Sequence, residues 1–188
     1  VFTAPAAKST AEGESLFVAD NHKDFLIVAG NGLRLDFSRK TGFITRYEAR
    51  GLDLLADGST LRPNFWRAPT DNDKGFGNWI AKDWKRNRLD SADIVENEPV
   101  KATRNADGTV SVKASYTCKY LKGSIRTDYI YTVDANGSVD FKATYTPSGE
   151  LPPLPCVGNT FVMPASYTNI SWYGMGMQDT YPDRLEAA

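Results

Sequence analysis

TVSVKASYTCKY, Thr109 to Tyr120, is the stretch whose reading decides the fold class. Val110, Val112, Ala114, Tyr116, Cys118 and Tyr120 fall on one side of an extended chain, and Ser111, Lys113, Ser115, Thr117 and Lys119 on the other. A period of two with one wet side is a β-strand lying on a core. Lys122-Gly123 then reads as a turn and SIRTDYIYTV as a second strand. Asp134-Ala135-Asn136-Gly137 reads as another turn, and SVDFKATY as a third strand with Val139, Phe141, Ala143 and Tyr145 inward. Long strands joined by tight glycine turns make an antiparallel meander. One-sided wetting fits a sheet stacked on another sheet.

Toward the N-terminus, SLFVA, DFLIVAG, LRLDFS and FITRYEA are short apolar or alternating runs, punctuated by Asn31-Gly32, Thr41-Gly42 and Asp57-Gly58. They read as further strands. One helix is predicted at about residues 77–89, with Asn78 capping its first turn. Trp79, Ile80 and Trp84 would share one side of it, with the lysines and arginines on the other. LPPLP, residues 151–155, reads as a rigid extended connection, after which VGNTFVMP and TNISWYG return to β. Residues 1–14 read as a linker or mobile arm, and residues 15–188 as one domain. The fold class is all-β, mostly antiparallel, built as a sandwich.

With 188 residues, 41% of them hydrophobic, the chain can bury a core. A net charge of -1 and the absence of a long basic run argue against nucleic acid as a partner. The densest basic stretch, KDWKRNR at Lys82–Arg88, reads as a solvated helix face rather than a phosphate site. No apolar run approaches the ~20 residues of a membrane span, so no membrane partner is expected. The opening VFTAPAAKSTAEGE lacks the charged start and apolar middle of a signal peptide. Cys118 and Cys156 fit neither a disulfide framework nor a metal site; free thiols are the default and one disulfide the alternative.

The familiar catalytic constellations are missing. His22 is the only histidine and sits in the polar turn DNHKD, so nucleophilic triads would have to be built on it. Zinc lacks its nitrogen and sulfur ligands. DNDKG resembles a calcium loop, but Gly75 is fifth from Asp71 where that loop needs its glycine sixth. GMGM at Gly174 lacks the third glycine of a dinucleotide site. Two carboxylate pairs remain, Asp71 with Asp73 and Asp179 with Asp183. A retaining glycosidase needs two carboxyls ~5–5.5 Å apart, whereas loop acids more commonly bind backbone amides and arginines.

Two longer blocks carry a family resemblance. LRPNFWRAPTDNDKGFGNW, Leu61 to Trp79, and WYGMGMQDTYPDR, Trp172 to Arg184, stand in order on either side of the meander. They resemble the signatures of the C-terminal, small-chain domain of glycoside hydrolase family 2 β-galactosidases, and the resemblance runs from about Phe17 to the last residue. Three positions depart from the family pattern: Met177 for proline, Asp179 for glutamate and Thr180 for asparagine. Asp179 keeps the charge but is one methylene shorter.

The resemblance implies the first part of a β-supersandwich similar to galactose mutarotase, incomplete at both ends. It also implies a parent that is a retaining β-galactosidase whose catalytic glutamates lie in a (β/α)8 barrel outside this sequence. The implied partners are that barrel, the other domains, a galactoside sugar and further subunits of an oligomeric parent. No cofactor or metal is implied in this segment, and the parent's compartment stays open between bacterial cytoplasm and periplasm. A mutarotase activity needs a histidine acid and a carboxylate base, and His22 has no such context. A free-standing carbohydrate-binding module is the alternative; Trp66, Trp79 and Trp84 would supply its aromatic row. A sheet cut short leaves an uncovered edge, and association through it is expected.

Within the first block, Pro69, Gly75 and Gly77 predict an irregular loop. Asp71, Asn72 and Asp73 would each accept from amides two residues on, Arg67 would bind a carboxylate with two parallel bonds, and Phe65, Trp66 and Trp79 would brace the loop from below. On the resemblance, Arg67, Asp71, Asn72 and Asp73 face the sugar pocket, and Asp179, Tyr181, Asp183 and Arg184 form a structural element or pocket rim.

Overall fold

The structure, a computed structural model, describes residues 15–75 and 79–171. It is a two-layer β-sandwich. One layer is a five-stranded antiparallel meander of β1 (Phe17–Ala19), β2 (Phe25–Gly30), β3 (Leu33–Ser38), β4 (Ile44–Ala49) and β5 (Leu52–Asp53), in that order. The other holds β7 (Asp93–Arg104), β8 (Val110–Lys119), β9 (Gly123–Val133) and β10 (Val139–Gly149), in the order β10-β9-β8-β7. A small third sheet pairs β6 (Arg62–Asn64) with β11 (Gly158–Thr160). A bridge between Ile44 and Leu61 ties that segment to the first layer.

The alternation along β8 is realised as read. Val110, Val112, Ala114, Tyr116 and Cys118 are buried, and β9 matches them with Ile125, Thr127, Tyr129, Tyr131 and Val133. These side chains interdigitate with Leu26, Val28, Leu33, Leu35, Phe37 and Ile44 from the first layer. Edge-to-face rings join the layers: Phe37 meets Tyr131 at 5.1 Å and Phe43 meets Tyr116 at 4.8 Å between centroids. Such pairs add ~0.5–1.5 kcal/mol beyond their burial.

Turn chemistry sets the registers. Asn31 (φ 51°) and Gly32 (φ 73°) form the two-residue loop between β2 and β3, the left-handed pair that matches strand twist. Asn105-Ala-Asp-Gly-Thr109 and Asp134-Ala-Asn-Gly-Ser138 close two hairpins differently, with a single left-handed residue each, Gly108 (φ 86°) and Gly137 (φ 93°). In each, the first and fifth residues exchange a backbone bond of 2.9 Å, Asn105 N–H to Thr109 O and Asp134 N–H to Ser138 O.

Several elements differ from the sequence reading. The meander has a fourth strand, β7, which carries no alternation: it lies at the sheet edge, it contains Pro99, and its register shifts twice, between Glu96 and Glu98 and between Glu98 and Lys101. Phe141 keeps the inner side of β10, stacked on Tyr131 at 6.0 Å, but is 40% exposed, with no strand beyond it among the described residues. Among the described residues, β structure returns after the LPPLP connection only as β11; Thr168–Ser171 is not a strand, and the rest of TNISWYG lies outside the described residues. Two helices stand where one was predicted, α1 (Asp71–Lys74) and α2 (Ile80–Arg86). Gly77, Asn78 and the N-terminal arm at residues 1–14 lie outside the described residues.

Helix α2 buries Ala81 and Trp84 and exposes Lys82, Lys85 and Arg86, the solvated face expected of KDWKRNR. Trp79 does not share the buried side. It precedes the helix, is 45% exposed, and carries the Lys82 ammonium over its ring at 4.4 Å.

Candidate functional site

The predicted loop at Arg67 to Gly75 is a clamp. Arg67 donates from Nη1 to Asp73 Oδ2 at 2.6 Å and from Nη2 to Asp73 Oδ1 at 3.0 Å, the parallel two-bond geometry that a planar guanidinium favours. Asp73 Oδ2 also accepts the Thr70 backbone N–H at 2.6 Å and the Thr70 hydroxyl at 2.8 Å. This replaces the expected irregular path. Four residues form a helical turn, and Asp73 at its third position reaches back to the amide that precedes it. Thr70-x-x-Asp73 is the sequence signal for this turn, which the proline and glycines around it obscured.

Below the clamp lies a tryptophan platform. The Arg67 guanidinium sits 5.2 Å over the Trp84 ring, and Trp66 meets Trp84 edge-on at 6.3 Å. Trp84 is buried and donates its indole N–H to Pro153 O at 2.8 Å; Arg67 Nε donates to Pro155 O at 3.1 Å. The extended 151–155 segment has no internal hydrogen bonds to offer its carbonyls, so Trp84 and Arg67 tether it onto α2. Trp66 and Trp84 are therefore the brace; Phe65 instead packs in the sandwich core, edge-on to Tyr145 at 5.1 Å, and Trp79 lies outside. Nor do Trp66, Trp79 and Trp84 make a flat aromatic row: Trp84 is buried and Trp66 stands at 81° to it.

The four residues predicted in this loop divide into two pairs. Arg67 and Asp73 bind each other. Asp71 and Asn72 are exposed, with Asp71 3.8 Å from Lys74 Nζ. Among the described residues, Asp73 alone of the three acids and amides accepts a backbone amide, and from the residue three before it rather than two after. Asp179, Tyr181, Asp183 and Arg184, together with Met177 and Thr180, lie outside the described residues.

The Arg67 hydrogen bonds, and after them the Thr70 amide, hold the Asp73 carboxyl well below the usual carboxylate range. A carboxylate with a depressed folded pKa stabilises fully above its unfolded pKa and loses that contribution as pH falls. The clamp's contribution to stability should thus be full above pH ~4, the ordinary aspartate value, and decline as pH falls from there toward the depressed folded value. Asp107 and Asp128 are depressed as well, so the clamp's share is read from a difference. As pH falls below ~4, the melting temperature should drop more in the unaltered chain than in Asp73→Asn.

Neither cysteine is disulfide-bonded. Burial pushes the Cys118 thiol up to about 11, which keeps it protonated at neutral pH and unfit as a nucleophile. Cys156 Sγ donates to Trp66 O at 3.3 Å, and burial raises its pKa against a smaller lowering from Arg67. His22 is exposed, its Nδ1 accepting the Asp24 N–H at 3.1 Å. Among the described residues, no group of three or more His, Cys, Asp or Glu side chains is placed to hold a metal ion.

Residues 29–188 match the family model described as "Beta galactosidase small chain". The chain belongs to the β-galactosidase small-chain family. A β-galactosidase of Vibrio cholerae serotype O1 is 30% identical over 160 residues, covering 81% of this chain and 15% of the relative. One of Priestia megaterium is 29% identical over 188 residues, covering 97% and 17%. A protein named "Beta-galactosidase small subunit" from Latilactobacillus sakei is 29% identical over 164 residues, covering 79% of this chain and 51% of its own length. This small-chain segment thus spans under a fifth of the length of the first two relatives. Both family-like blocks, Leu61–Trp79 and Trp172–Arg184, fall inside the matched range.

Proposed function

We propose that this chain is a non-catalytic β-sandwich segment of a β-galactosidase, the enzyme that releases terminal β-D-galactosyl groups, and that it helps to wall the sugar pocket. The observation that carries the reading is the share of length: relatives named β-galactosidase devote 15–17% of themselves to the matching segment, so other residues supply most of the enzyme. The nucleophile and the acid, two carboxyls ~5–5.5 Å apart in a retaining enzyme, come in this reading from a barrel domain that the segment contacts. The second carboxylate-rich block, Asp179 to Arg184, adds to the pocket rim.

In this reading Arg67 and Asp73 are positioning residues rather than sugar ligands, since each already serves the other. Their clamp fixes the short turn that presents Asp71 and Asn72. A carboxylate and a side-chain amide, both exposed, offer the acceptors and donors that sugar hydroxyls require. Rigid placement matters because a displacement of ~1 Å can cost ~100-fold in rate.

The test uses the full-length enzyme. Arg67→Ala and Asp73→Asn should each lower kcat/KM by about 10-fold or more, by the same positioning argument, and Asp71→Ala with Asn72→Ala should raise KM. If the clamp variants change only the melting temperature, the loop is a brace and the pocket role fails. Separately, the purified 188-residue chain should not turn over a chromogenic β-galactoside above a mock purification. Turnover would place catalytic groups within it and overturn the non-catalytic reading.

A further inference from the structure

A hollow of about 320 Å³ opens where β6, the turn after α2 and the end of β8 meet. Two half-buried rings line it, Trp66 and Tyr120. Arg62, Asn64, Asp90 and Ser91 line it as well. Local structure places them. Arg62 and Asn64 are two apart on β6 and so share one side of that strand. Buried Leu89 anchors the turn that carries Asp90 and Ser91, which the Ser91 N–H closes on Arg88 O at 2.9 Å. Tyr120 stands just past β8, its N–H donated to Gly123 O at 2.8 Å.

The polar groups of this hollow are not spent on the fold. Among the described residues, the side chains of Arg62, Asp90, Ser91 and Tyr120 make no hydrogen bond, and neither do Asn64 Nδ2 and the Trp66 indole N–H. Arg62 and Asp90 carry opposite charges on one hollow and form no ion pair with each other. Burial pushes the Tyr120 phenol up, so it keeps its proton at neutral pH. Two other hollows lack this combination. One of about 700 Å³ at the hairpin tips has no ring. The groove of about 230 Å³ beside Phe141 has no polar side-chain group but the Tyr47 hydroxyl, which is already donated to Gly137 O.

We infer that this hollow binds a single neutral sugar ring without hydrolysing it. A small anion would meet Asp90, and a small cation would meet Arg62. A neutral ring of hydroxyls suits both: it accepts from Arg62, Asn64 and the indole, and it donates to Asp90. The apolar C–H side of a pyranose suits the two aromatic walls, and the volume falls at the low end of small-molecule sites, ~300 Å³. Hydrolysis needs two carboxyls, and Asp90 is the one acid among the residues that line the hollow. The inference does not rest on the pocket role of the Arg67–Gly75 loop. Clamp variants that fail to change kcat/KM would leave it standing.

The test is a heteronuclear NMR titration of the 188-residue chain with methyl β-D-galactopyranoside. Saturable shifts with a millimolar Kd are expected for so small a ligand. They should appear at the Trp66 indole N–H, identified by its loss in Trp66→Phe, and at the Ser91 and Tyr120 amides. Asp90→Ala and Arg62→Ala should each weaken binding by about tenfold, the weight of a hydrogen bond to a charged group. Both residues are exposed, so neither change should move the melting temperature. Asp140→Ala, at an exposed acid on β10, should leave binding as it was. Sorbitol, with hydroxyls but no ring to stack, should bind about tenfold more weakly than the galactoside. Absence of saturable shifts with the galactoside would overturn the inference. So would shifts centred on Asp71–Lys74, a Kd indifferent to the Asp90 and Arg62 variants, or equal binding of sorbitol.

Discussion

Trp84→Ala is expected to destabilise the chain by about 3–5 kcal/mol, the range for emptying a buried aromatic site. Trp84 is 2% exposed and packs among Ala81, Leu89, Trp66, Tyr120, Leu151 and Leu154. Its removal leaves a cavity, strands the Pro153 carbonyl, and takes the ring from under the Arg67 guanidinium. One of the two tethers on the 151–155 segment is lost with it. Against a total stability of about 5–15 kcal/mol for an ordinary domain, this single change brings the fold close to its limit. Trp84→Phe separates the causes: it keeps most of the packing and loses the indole donor, so it should cost about 1–3 kcal/mol. Urea denaturation of the two variants measures the difference. Equal costs would assign the anchoring to the hydrogen bond and not to burial.

Gly42→Ala is the second large effect, about 2–4 kcal/mol from strain and overpacking together. Gly42 has φ 71°, and a Cβ built there would lie 2.7 Å from Ala114 Cβ and 3.6 Å from Val100 Cγ2. The turn between β3 and β4 therefore presses its backbone directly onto the inner side of β8. Gly58 is the control. Its φ is 73°, nearly the same, but nothing lies within 4 Å of its missing Cβ. Gly58→Ala should cost only the backbone share, about 1–2 kcal/mol. If the two variants melt alike, the close approach of turn and sheet at Gly42 has no energetic weight.

Both predictions rest on contacts that no short stretch of sequence contains. That Thr41-Gly42 makes a turn is legible from its residues. That the turn lands on Ala114, 72 positions later in the chain, is not. The same holds in the candidate site. Charge and loop position are local properties, and by them Arg67 and Asp73 each look available for a sugar. Their pairing follows from a helical turn that brings i and i+6 together, and from the burial of Trp84 that holds the guanidinium above it. Trp79 and Trp84 are five apart in sequence and could not be ranked by pattern; packing against the 151–155 segment buries one and leaves the other outside.

The sequence by itself determined the class of fold, because alternation over β8, β9 and β10 and turn residues such as Gly137, with φ 93°, act within a few residues of one another. It also determined family membership, since both blocks are long and specific. The tertiary structure alone decided which strands end the sheets among the described residues. An edge strand such as β7 is exposed at most positions, with only Val100 buried, and is bulged, so its burial pattern loses the period of two by which strands are recognised. It alone decided, too, that Phe141, patterned as core, stands half open at the end of a sheet, and that the two residues most suggestive of ligand binding satisfy each other. Periodicity reports which side of a strand faces inward; only the assembled layers fix whether anything lies there to cover it.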